Sequence, residues 1–316
     1  MKILLTGATG FVGKSVLKKL DDHIVLLTSR TLTVDECSRS FVKIMSSTEN
    51  FSDCLNGVEV VIHTAARVHQ MNDLAEDPSS EFMETNCFGT LNLARQAARA
   101  GVKRFIFLSS IKVNGEQSTP EKSFRFDDPR KAEDPYGKSK AEAELGLLKI
   151  SAETDLQVTI IRPPLVYGPG VKANFAELLK LASKNLPFPL GSVDNKRSFV
   201  ALDNLVSLIV TCVDHPKAAN QIFLVSDDKD CSTSKLYSIM VEAFGKKARL
   251  VKINPFLLKS FARLIGKGPM MNRLCNDLVL DIEHTKVSLD WTPVVSTVEG
   301  IKLCVPNTIT RNQHQV

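Results

Sequence analysis

Short apolar runs alternate with amphipathic segments through the first half of the chain, and this alternation limits the available folds more than any other feature. The runs are β-branched or apolar at nearly every position, as in strands buried on both faces of a parallel sheet. They lie at residues 2–6, 24–28, 58–63, 104–109 and 157–162. Helical spacing occurs between them at residues 12–20, 86–100 and 137–153. The alternation predicts an α/β fold with a doubly wound parallel sheet.

The pattern changes in a turn-rich segment at 163–170, which contains five prolines and glycines: Pro163, Pro164, Gly168, Pro169 and Gly170. A helix is predicted over about 174–185, and a strand pair over about 198–202 and 221–225 is expected to return to the sheet. We therefore expect two domains. A Rossmann-type nucleotide-binding domain would use residues 1–165 with about 197–226, and a smaller mixed α/β substrate domain would use about 166–196 and 227–316.

Composition excludes several classes of protein. The net charge is +5, spread along the chain without a block of like charges, which disfavours a nucleic-acid tail and suits an anionic small substrate. The seven cysteines show no metal-ligand spacing, so we expect reduced thiols in a cytoplasmic protein. No apolar run is long enough to predict a transmembrane helix. The basic amphipathic stretch 256–267 is interpreted as a helix with one buried face, in preference to a membrane-seeking helix.

A glycine-rich turn follows the first apolar run directly. Gly7, Gly10 and Gly13 stand in a GxxGxxG spacing before a predicted helix. Glycines permit the tight turn, a close approach of the backbone to a pyrophosphate, and close packing of helix on strand. The helix N-terminus then offers N–H groups to the phosphates. A plain glycine turn is the alternative, but the position between strand and helix favours dinucleotide binding.

The end of the second run bears on the 2′ position of that dinucleotide. NAD-binding chains usually place a carboxylate there, whereas this chain has Ser29 followed by Arg30. An arginine can pair bidentately with a 2′-phosphate. The sequence therefore favours NADP(H), with NAD(H) as the alternative cofactor and a solvated surface arginine as the alternative role of Arg30.

Tyr136 and Lys140 are spaced so that both side chains lie on one face of a predicted helix. An ammonium beside a phenol is expected to lower the phenol pKa and make it a useful acid or base near neutral pH. Ser110 follows the fourth run at the carboxyl end of the sheet, where doubly wound folds bind ligands. Alone, the Tyr-Lys pair could be a surface helix start, and Asn86 an ordinary helix cap.

Together these motifs resemble those of the extended short-chain dehydrogenase/reductase superfamily, the NAD-dependent epimerase/dehydratase family. The resemblance covers roughly the first 170 residues. It implies that Ser110, Tyr136 and Lys140 form a catalytic triad, with Lys140 also holding the nicotinamide ribose. It also implies a cofactor site, which would comprise Gly7, Thr9, Gly10, Phe11, Val12, Gly13, Ser29, Arg30, Ala65, Ala66, Asn86, Tyr136, Lys140 and Pro163.

Past residue 170 the chain resembles UDP-sugar epimerases and reductases of the same family. That resemblance implies a substrate site containing Ser110, Lys112, Asn174, Arg197 and Arg273, in which Arg197 grips a phosphate of the sugar nucleotide. An arginine fork suits a diphosphate. The alternatives are that Asn174 is only a helix cap and Arg273 only a surface charge.

Departures from the family pattern distinguish among its activities. Sugar 4,6-dehydratases carry an Asp-Glu pair where this chain has Ile111 and Lys112, so it lacks the acid and base that elimination needs. Galactose-type epimerases carry a tyrosine where this chain has Asn114. The segments around Ser110, Tyr136 and 162–172 instead resemble the UDP-4-keto-6-deoxy-N-acetylglucosamine 4-reductases, which make UDP-N-acetylquinovosamine for surface polysaccharides.

We therefore expect an NAD(P)H-dependent reductase that acts on the C4 keto group of a UDP-4-keto-6-deoxy-sugar. The first alternative is a UDP-sugar 4-epimerase that retains NAD. The second alternative is a non-catalytic relative that binds NADP(H). A homodimer, paired through the segments 86–100 and 137–153, is expected from the resemblance. No metal site is expected.

Overall fold

The computed structural model describes residues 1–20, 23–29, 40–68, 77–119, 121–264 and 266–305. In these residues the strands are, in chain order, β1 (Lys2–Thr6), β2 (Ile24–Ser29), β3 (Ser40–Val42), β4 (Val60–His63), β5 (Arg104–Leu108), β6 (Gln157–Arg162), β7 (Leu165–Tyr167), β8 (Phe199–Ala201) and β9 (Gln221–Leu224). One parallel sheet has the order β3-β2-β1-β4-β5-β6-β9, and β7 and β8 form a separate parallel pair. The predicted α/β fold with a Rossmann-type parallel sheet is confirmed.

The helices connect and cover these strands. They are α1 (Phe11–Leu17), α2 (Ser52–Leu55), α3 (Pro78–Phe82), α4 (Gly89–Arg99), α5 (Pro135–Glu153), α6 (Ala173–Ser183), α7 (Leu202–Asp214), α8 (Thr233–Ala243), α9 (Pro255–Leu264), α10 (Gly268–Cys275), α11 (Glu283–Leu289) and α12 (Thr297–Leu303). A π-helical turn (Met83–Phe88) leads into α4, and 3₁₀ turns occupy Ile111–Val113 and Pro216–Ala218. Within the described ranges, every helix is too short or too polar to span a lipid bilayer.

Apolar side chains cover both faces of the large sheet. One face packs against α1 and α7 through residues such as Val16 and Leu205. The other packs against α4 and α5 through residues such as Leu93 and Leu147. Burial on both faces explains why the strands are apolar at successive positions. A third apolar cluster, centred on Tyr237 and its neighbours in α6, α8 and α12, forms the core of the C-terminal layer.

The predicted strand pair after residue 197 is only half right. β9 joins the large sheet beside β6, as expected, but β8 pairs with β7 through Leu165 and Phe199. Pro163 and Pro164 follow β6 directly, and prolines cannot donate to a strand ladder. The chain therefore leaves the large sheet after β6, and β7 starts a second layer that β8 completes. The prediction that residues 198–202 return to the sheet is wrong.

Asp227 fastens this second layer to the C-terminal helices. Its Oδ1 accepts from the amide of Ala201 at 2.7 Å and from Nδ2 of Asn204 at 2.7 Å. Its Oδ2 accepts from the hydroxyl of Tyr167 at 2.6 Å and from that of Thr297 at 3.2 Å. Asp227 is buried, so four donors replace the water that its carboxylate loses.

The described cysteines, which are Cys54, Cys87, Cys212, Cys231, Cys275 and Cys304, have free thiols. Cys37 lies outside the described residues.

Candidate active site

The glycine turn joins β1 to α1 with no room for side chains. Gly7 has a φ of +71°, and its amide donates to the carbonyl oxygen of Thr28 at 3.2 Å. A Cβ atom on Gly7 would lie 2.7 Å from the backbone nitrogen of Ala65, and one on Gly13 would lie 2.1 Å from the carbonyl oxygen of Gly7. Gly10 caps α1 without a side-chain hydrogen bond. The turn therefore presents bare backbone, which fits the diphosphate of a dinucleotide.

A chain of hydrogen bonds links the ends of β1 and β4 to α4. The amide of Ala65 donates to Oγ1 of Thr6 at 3.3 Å, and that hydroxyl lies 2.7 Å from Nδ1 of His63. Nε2 of His63 lies 2.9 Å from Oγ1 of Thr90, which donates to the carbonyl oxygen of Asn86 at 2.8 Å. Because Thr90 uses its hydrogen there, the network assigns the His63 proton to Nε2. Burial lowers the pKa of His63 to about 3, so the ring is neutral at physiological pH.

Asn86 lies inside the π-helical turn and is fully buried. Its Nδ2 donates to the carbonyl oxygen of Arg67 at 3.0 Å and to Oγ of Ser139 at 3.1 Å, and its Oδ1 accepts from the amide of Arg67 at 2.8 Å. The Ser139 hydroxyl donates to the carbonyl oxygen of Tyr136 at 2.8 Å. Both amide hydrogens of Asn86 are thus used inside the protein. Asn86 positions the start of α5 against the segment that follows β4.

The structure brings Ser110, Tyr136 and Lys140 together where β5 ends and α5 begins. The Ser110 hydroxyl lies close to the phenol of Tyr136, where it can donate a hydrogen bond to the phenolate form. Asp134 caps α5 by accepting from the amide of Gly137 at 2.7 Å, which fixes the first turn that carries the tyrosine. Lys140, one turn further along, is 1% exposed and its Nζ donates to the carbonyl oxygen of Leu108 at 2.8 Å.

The charge states of the two α5 residues differ from the expectation. Burial raises the pKa of Tyr136 to about 12, the Asp134 carboxylate adds to the rise, and the hydrogen bond with Ser110 opposes it. Burial lowers the pKa of Lys140 to about 7. Desolvation, not the ammonium, therefore sets the phenol pKa in this structure. At neutral pH Tyr136 is a protonated phenol, which suits a proton donor.

A buried ion network lies beneath these residues. Glu144 accepts from Nε of Arg162 at 2.9 Å and from Nη2 of Arg162 at 2.5 Å, and both side chains are at most 1% exposed. The same carboxylate accepts from the Ser109 hydroxyl at 2.6 Å and from Nε of Arg130 at 3.1 Å. Nη1 of Arg162 donates to Oδ1 of Asn114 at 2.9 Å. The network ties α5 to the ends of β5 and β6.

Part of this network could be expected from the sequence. Tyr136, Lys140 and Glu144 are spaced by four residues, so they share one face of α5. A carboxylate in that register, facing the same buried strands, points to a cationic partner. The identity of the partner, Arg162, depends on the order of β5 and β6 in the sheet, which spacing alone does not give.

Arg197 and Arg273 lie near one another on the substrate side. Nη1 of Arg197 donates to the carbonyl oxygen of Asn276 at 2.9 Å. Burial lowers the pKa of the Arg197 guanidinium, the Asp277 carboxylate opposes that shift, and the Arg273 charge adds to it. Two arginines that repel each other in this way form a site that favours an anion.

Glu116 connects this arginine pair to Lys112. Its Oε1 lies 3.5 Å from Nζ of Lys112 and 3.8 Å from Nη2 of Arg273. Lys112 also pairs with Asp134. The structure therefore brings three of the predicted substrate residues, Lys112, Arg197 and Arg273, into one basic cluster. Glu116 is its counter-ion, which the sequence analysis missed.

The other predicted residues occupy several settings. Asn174 is exposed in the first turn of α6, and Lys172, not Asn174, is the N-cap residue. The carbonyl oxygen of buried Pro163 accepts from the amide of Ile111 at 2.9 Å. Ser29 ends β2, and Arg30 lies outside the described residues.

The remaining predicted cofactor residues lie in the glycine turn and after β4. Thr9 is exposed, whereas Phe11, Val12, Ala65 and Ala66 are half-buried.

Comparisons with known proteins agree with this geometry. A sequence model of the NAD dependent epimerase/dehydratase family matches residues 3–226. The chain belongs to this epimerase/dehydratase family. It is 46% identical over 305 residues to a UDP-glucose 4-epimerase of Vibrio cholerae, covering 95% of this chain and 93% of that protein.

Two solved structures show that the epimerase/dehydratase fold extends over nearly the whole chain. The UDP-glucose 4-epimerase of Thermotoga maritima, solved with UDP-glucose, is 24% identical and superimposes with a TM-score of 0.76 over 96% of this chain and 97% of that chain. The UDP-glucuronic acid 4-epimerase of Bacillus cereus, solved with NAD, is 20% identical with a TM-score of 0.76 over the same shares. At these identities the likeness establishes the fold alone.

Family membership places this chain among the NAD dependent epimerase/dehydratase enzymes. Within the family, the position of the dehydratase acid-base pair is taken by Ile111, which is buried, and by Lys112, which is ion-paired. The bare glycine turn fits the nicotinamide dinucleotide that the family name implies.

Proposed function

We propose that this chain is a UDP-sugar 4-epimerase. The observation that carries the proposal is the placement of the Ser110 hydroxyl beside the phenol of Tyr136, with Lys140 one turn further along α5, in a chain 46% identical to a UDP-glucose 4-epimerase. Epimerisation at C4 needs a group that takes the proton of the C4 hydroxyl and returns it to the same oxygen after hydride has been added to the other face of the keto intermediate. A phenol paired with a hydroxyl meets that need without a metal ligand set.

The glycine turn and the strand end beside it would hold the dinucleotide. Gly7, Gly10 and Gly13 would face its diphosphate, and Ala65 would flank it where β4 ends. A dinucleotide held there would supply the hydride acceptor and donor that the reaction at C4 needs. The buried polar chain from Ala65 through His63 to Asn86 keeps these strand ends in register.

Ser110 and Tyr136 would bind the oxygen on C4. To act as a base Tyr136 would first lose its own proton, which the positive charges of Lys140 and of the bound cofactor would favour. The phenolate would then take the C4 hydroxyl proton as the keto group forms, and the resulting phenol would give that proton back when the C4 hydroxyl is restored. Ser110 would donate a hydrogen bond to the same C4 oxygen and so stabilise the negative charge that develops on this oxygen. Lys140 is held by the carbonyl of Leu108 close enough to the strand end to stabilise the phenolate when it forms. No net oxidation of the sugar results.

The basic cluster would hold the UDP diphosphate. Arg197 and Arg273 offer guanidinium groups that match phosphate oxygens, and Lys112 adds a third cation. Binding energy at the diphosphate lets the sugar ring, which makes weaker contacts, turn over between the two hydride transfers. This mechanism requires that the basic cluster keep the diphosphate in place while the sugar ring rotates.

The test is interconversion of sugars by purified protein. With UDP-glucose or UDP-N-acetylglucosamine and no added cofactor, we expect the C4 epimer to accumulate to equilibrium, as read by nuclear magnetic resonance. Absorbance at the reduced-nicotinamide band should show no net change at completion. A protein that releases no nicotinamide cofactor on heating and forms no epimer would contradict the proposal.

A 4-ketoreductase is the second candidate, and the end of β2 favours it. β2 ends at Ser29 without a carboxylate to hold the ribose hydroxyls of a retained NAD. A protonated Tyr136 also suits the donation of a proton to a keto oxygen. Stoichiometric consumption of added NADPH or NADH with a UDP-4-keto-6-deoxy-sugar, and no epimerisation, would replace the first proposal with this one.

We also propose that the protein prefers NADP(H) and forms a homodimer. An Arg30→Ala variant should weaken NADP(H) binding and leave NAD(H) binding unchanged if Arg30 pairs with a 2′-phosphate. Equal effects on both would show that Arg30 does not pair with a 2′-phosphate. A homodimer through α4 and α5 is supported by the exposed apolar side chains Phe88 and Leu145 and is tested by sedimentation velocity.

A further inference from the structure

Helix α9 presents its large apolar side chains to the outside of the protein. Phe256 is 73% exposed, Leu257 61%, Phe261 62% and Leu264 85%. At the helical period these four side chains fall on one face. The opposite face packs inward through Ala262, which is buried, and Leu258. The expectation that the apolar face of this helix is buried is therefore wrong for its largest side chains.

The segment that contains α9 is strongly basic. Residues 246–276 include Lys246, Lys247, Arg249, Lys252, Lys259, Arg263, Lys267 and Arg273, and they include no aspartate or glutamate. Of these cations, all except Lys259 are exposed. The net charge of the whole chain is only +5, so the rest of the chain is net negative. The positive charge is thus concentrated here, contrary to the even spread expected from the sequence.

We propose that α9 docks this protein on the surface of an anionic phospholipid bilayer. An interfacial helix inserts its apolar face a short way into the headgroup boundary while flanking lysines and arginines bind anionic headgroups. Phe256, Phe261 and Leu264 supply that face, and Arg263 and Lys267 flank it. With ten residues, α9 is long enough to lie on a bilayer and too short to cross it.

The charge pattern favours a bilayer over a second copy of the chain. Two copies joined through α9 would bring the same basic segment against itself, and like charges repel. Binding to an anionic membrane is instead strengthened by each lysine or arginine near its surface. Exposed apolar area and local positive charge therefore point to the same partner.

The docking helix borders the candidate substrate site. Nζ of Lys259 donates to Oδ1 of Asn276 at 2.9 Å, and the carbonyl oxygen of Asn276 accepts from Arg197. α10, which carries Arg273, packs against α9. A bilayer bound at α9 would thus lie beside the basic cluster, so this enzyme would bind and release nucleotide sugars next to the membrane.

The experiment is flotation of the full chain with vesicles of phosphatidylcholine alone or with phosphatidylglycerol. We expect flotation with the phosphatidylglycerol vesicles at low salt, little with phosphatidylcholine, and a loss at high salt as charges are screened. A triple variant, Phe256→Ser, Phe261→Ser and Leu264→Ser, should bind at least about tenfold more weakly. The matched control, Val287→Ser, Val294→Ser and Val298→Ser, removes exposed apolar side chains elsewhere and should float like the wild type.

Three results would overturn the proposal. If wild-type protein stays at the bottom of the gradient with phosphatidylglycerol vesicles, α9 does not dock on an anionic bilayer. If the triple variant floats as well as the wild type, the bilayer contact lies elsewhere on the protein. A triple variant that changes from dimer to monomer in sedimentation velocity shows that a second copy covers α9. Sugar interconversion in vesicle-free buffer tests the proposed function separately, because the exposed face of α9 contributes no group to the chemistry. In that assay the triple variant should have the turnover of the wild type.

Discussion

Nζ of Lys140 lies 4.4 Å from the centroid of the Phe107 ring, so an ionisable nitrogen sits over an aromatic face in the interior of the protein. The ring attracts the ammonium form and the Leu108 carbonyl accepts its hydrogen bond. Burial disfavours the charged form and outweighs the attraction of the Glu144 carboxylate. The pKa of Lys140 therefore falls from 10.5 to about 7. Lys140 is thus poised to change its charge near neutral pH.

The first prediction concerns how stability depends on pH. Between about pH 7 and 10.5 the unfolded chain binds a proton at Lys140 that the folded chain does not. The free energy of unfolding of the wild type should therefore rise with pH across that window, relative to a Lys140→Met variant, and should not change relative to it below pH 7. Denaturant titrations of both proteins at several pH values measure the difference. Parallel stability curves would show that Lys140 titrates normally.

The second prediction concerns the phenol. Tyr136→Phe removes the proton donor but keeps the ring, so turnover should fall by about 10²–10⁴-fold with little change in thermal stability. Tyr237→Phe is the matched control, since its hydroxyl donates to the carbonyl of Leu186 at 2.7 Å in the C-terminal core. It should lose about 1 kcal/mol of stability and keep its turnover. Equal activity losses in the two variants would exclude a chemical role for Tyr136.

The third prediction concerns Glu144. Glu144→Gln leaves Arg162 buried without a carboxylate, which should cost about 3–5 kcal/mol of unfolding free energy. Glu142→Gln, on the exposed side of α5, should change stability by less than about 0.5 kcal/mol. Thermal denaturation followed by circular dichroism compares them. A small effect at Glu144 would mean that Arg162 finds other acceptors.

The fourth prediction concerns Glu116, the counter-ion of the basic cluster. Glu116→Gln frees Lys112 and Arg273 from a carboxylate that competes with the diphosphate, so UDP should bind roughly two- to fivefold more tightly. Glu121→Gln, an exposed carboxylate nearby in sequence, should bind UDP like the wild type. Isothermal titration calorimetry with UDP gives both values. Weaker binding to Glu116→Gln would mean that Glu116 contacts the nucleotide directly.

Local patterns in the sequence predict the large sheet well. The predicted strand at 157–162 is β6 residue for residue, and Gly101 ends α4 with a φ of +77°, as its place after a helical segment predicts. These features depend on neighbouring residues, which spacing and composition report. β3 and α2, with three and four residues, are too short to carry a period and have no counterpart among the predictions.

Features that depend on distant partners could not be predicted in the same way. Asn86 reads as a helix cap, but its partners, Arg67 and Ser139, are brought to it by the fold. The raised pKa of Tyr136 follows from desolvation in the folded protein, and the spacing of residues in the sequence does not show how deeply a side chain is buried. The exposure of Phe261 and Leu264 likewise depends on which side of α9 meets the protein, and amphipathic spacing is the same for either choice.

Asp227 is the first residue after the segment that defines family membership, which ends at residue 226. Four buried donors meet at its carboxylate, including the amide of Ala201 and the hydroxyl of Tyr167, both within that segment. A shortened protein cut at the family boundary would leave these groups without a partner. The segment that the family model matches therefore leaves out a residue on which its own buried groups depend, and expression trials should keep Asp227 and the helices that follow it.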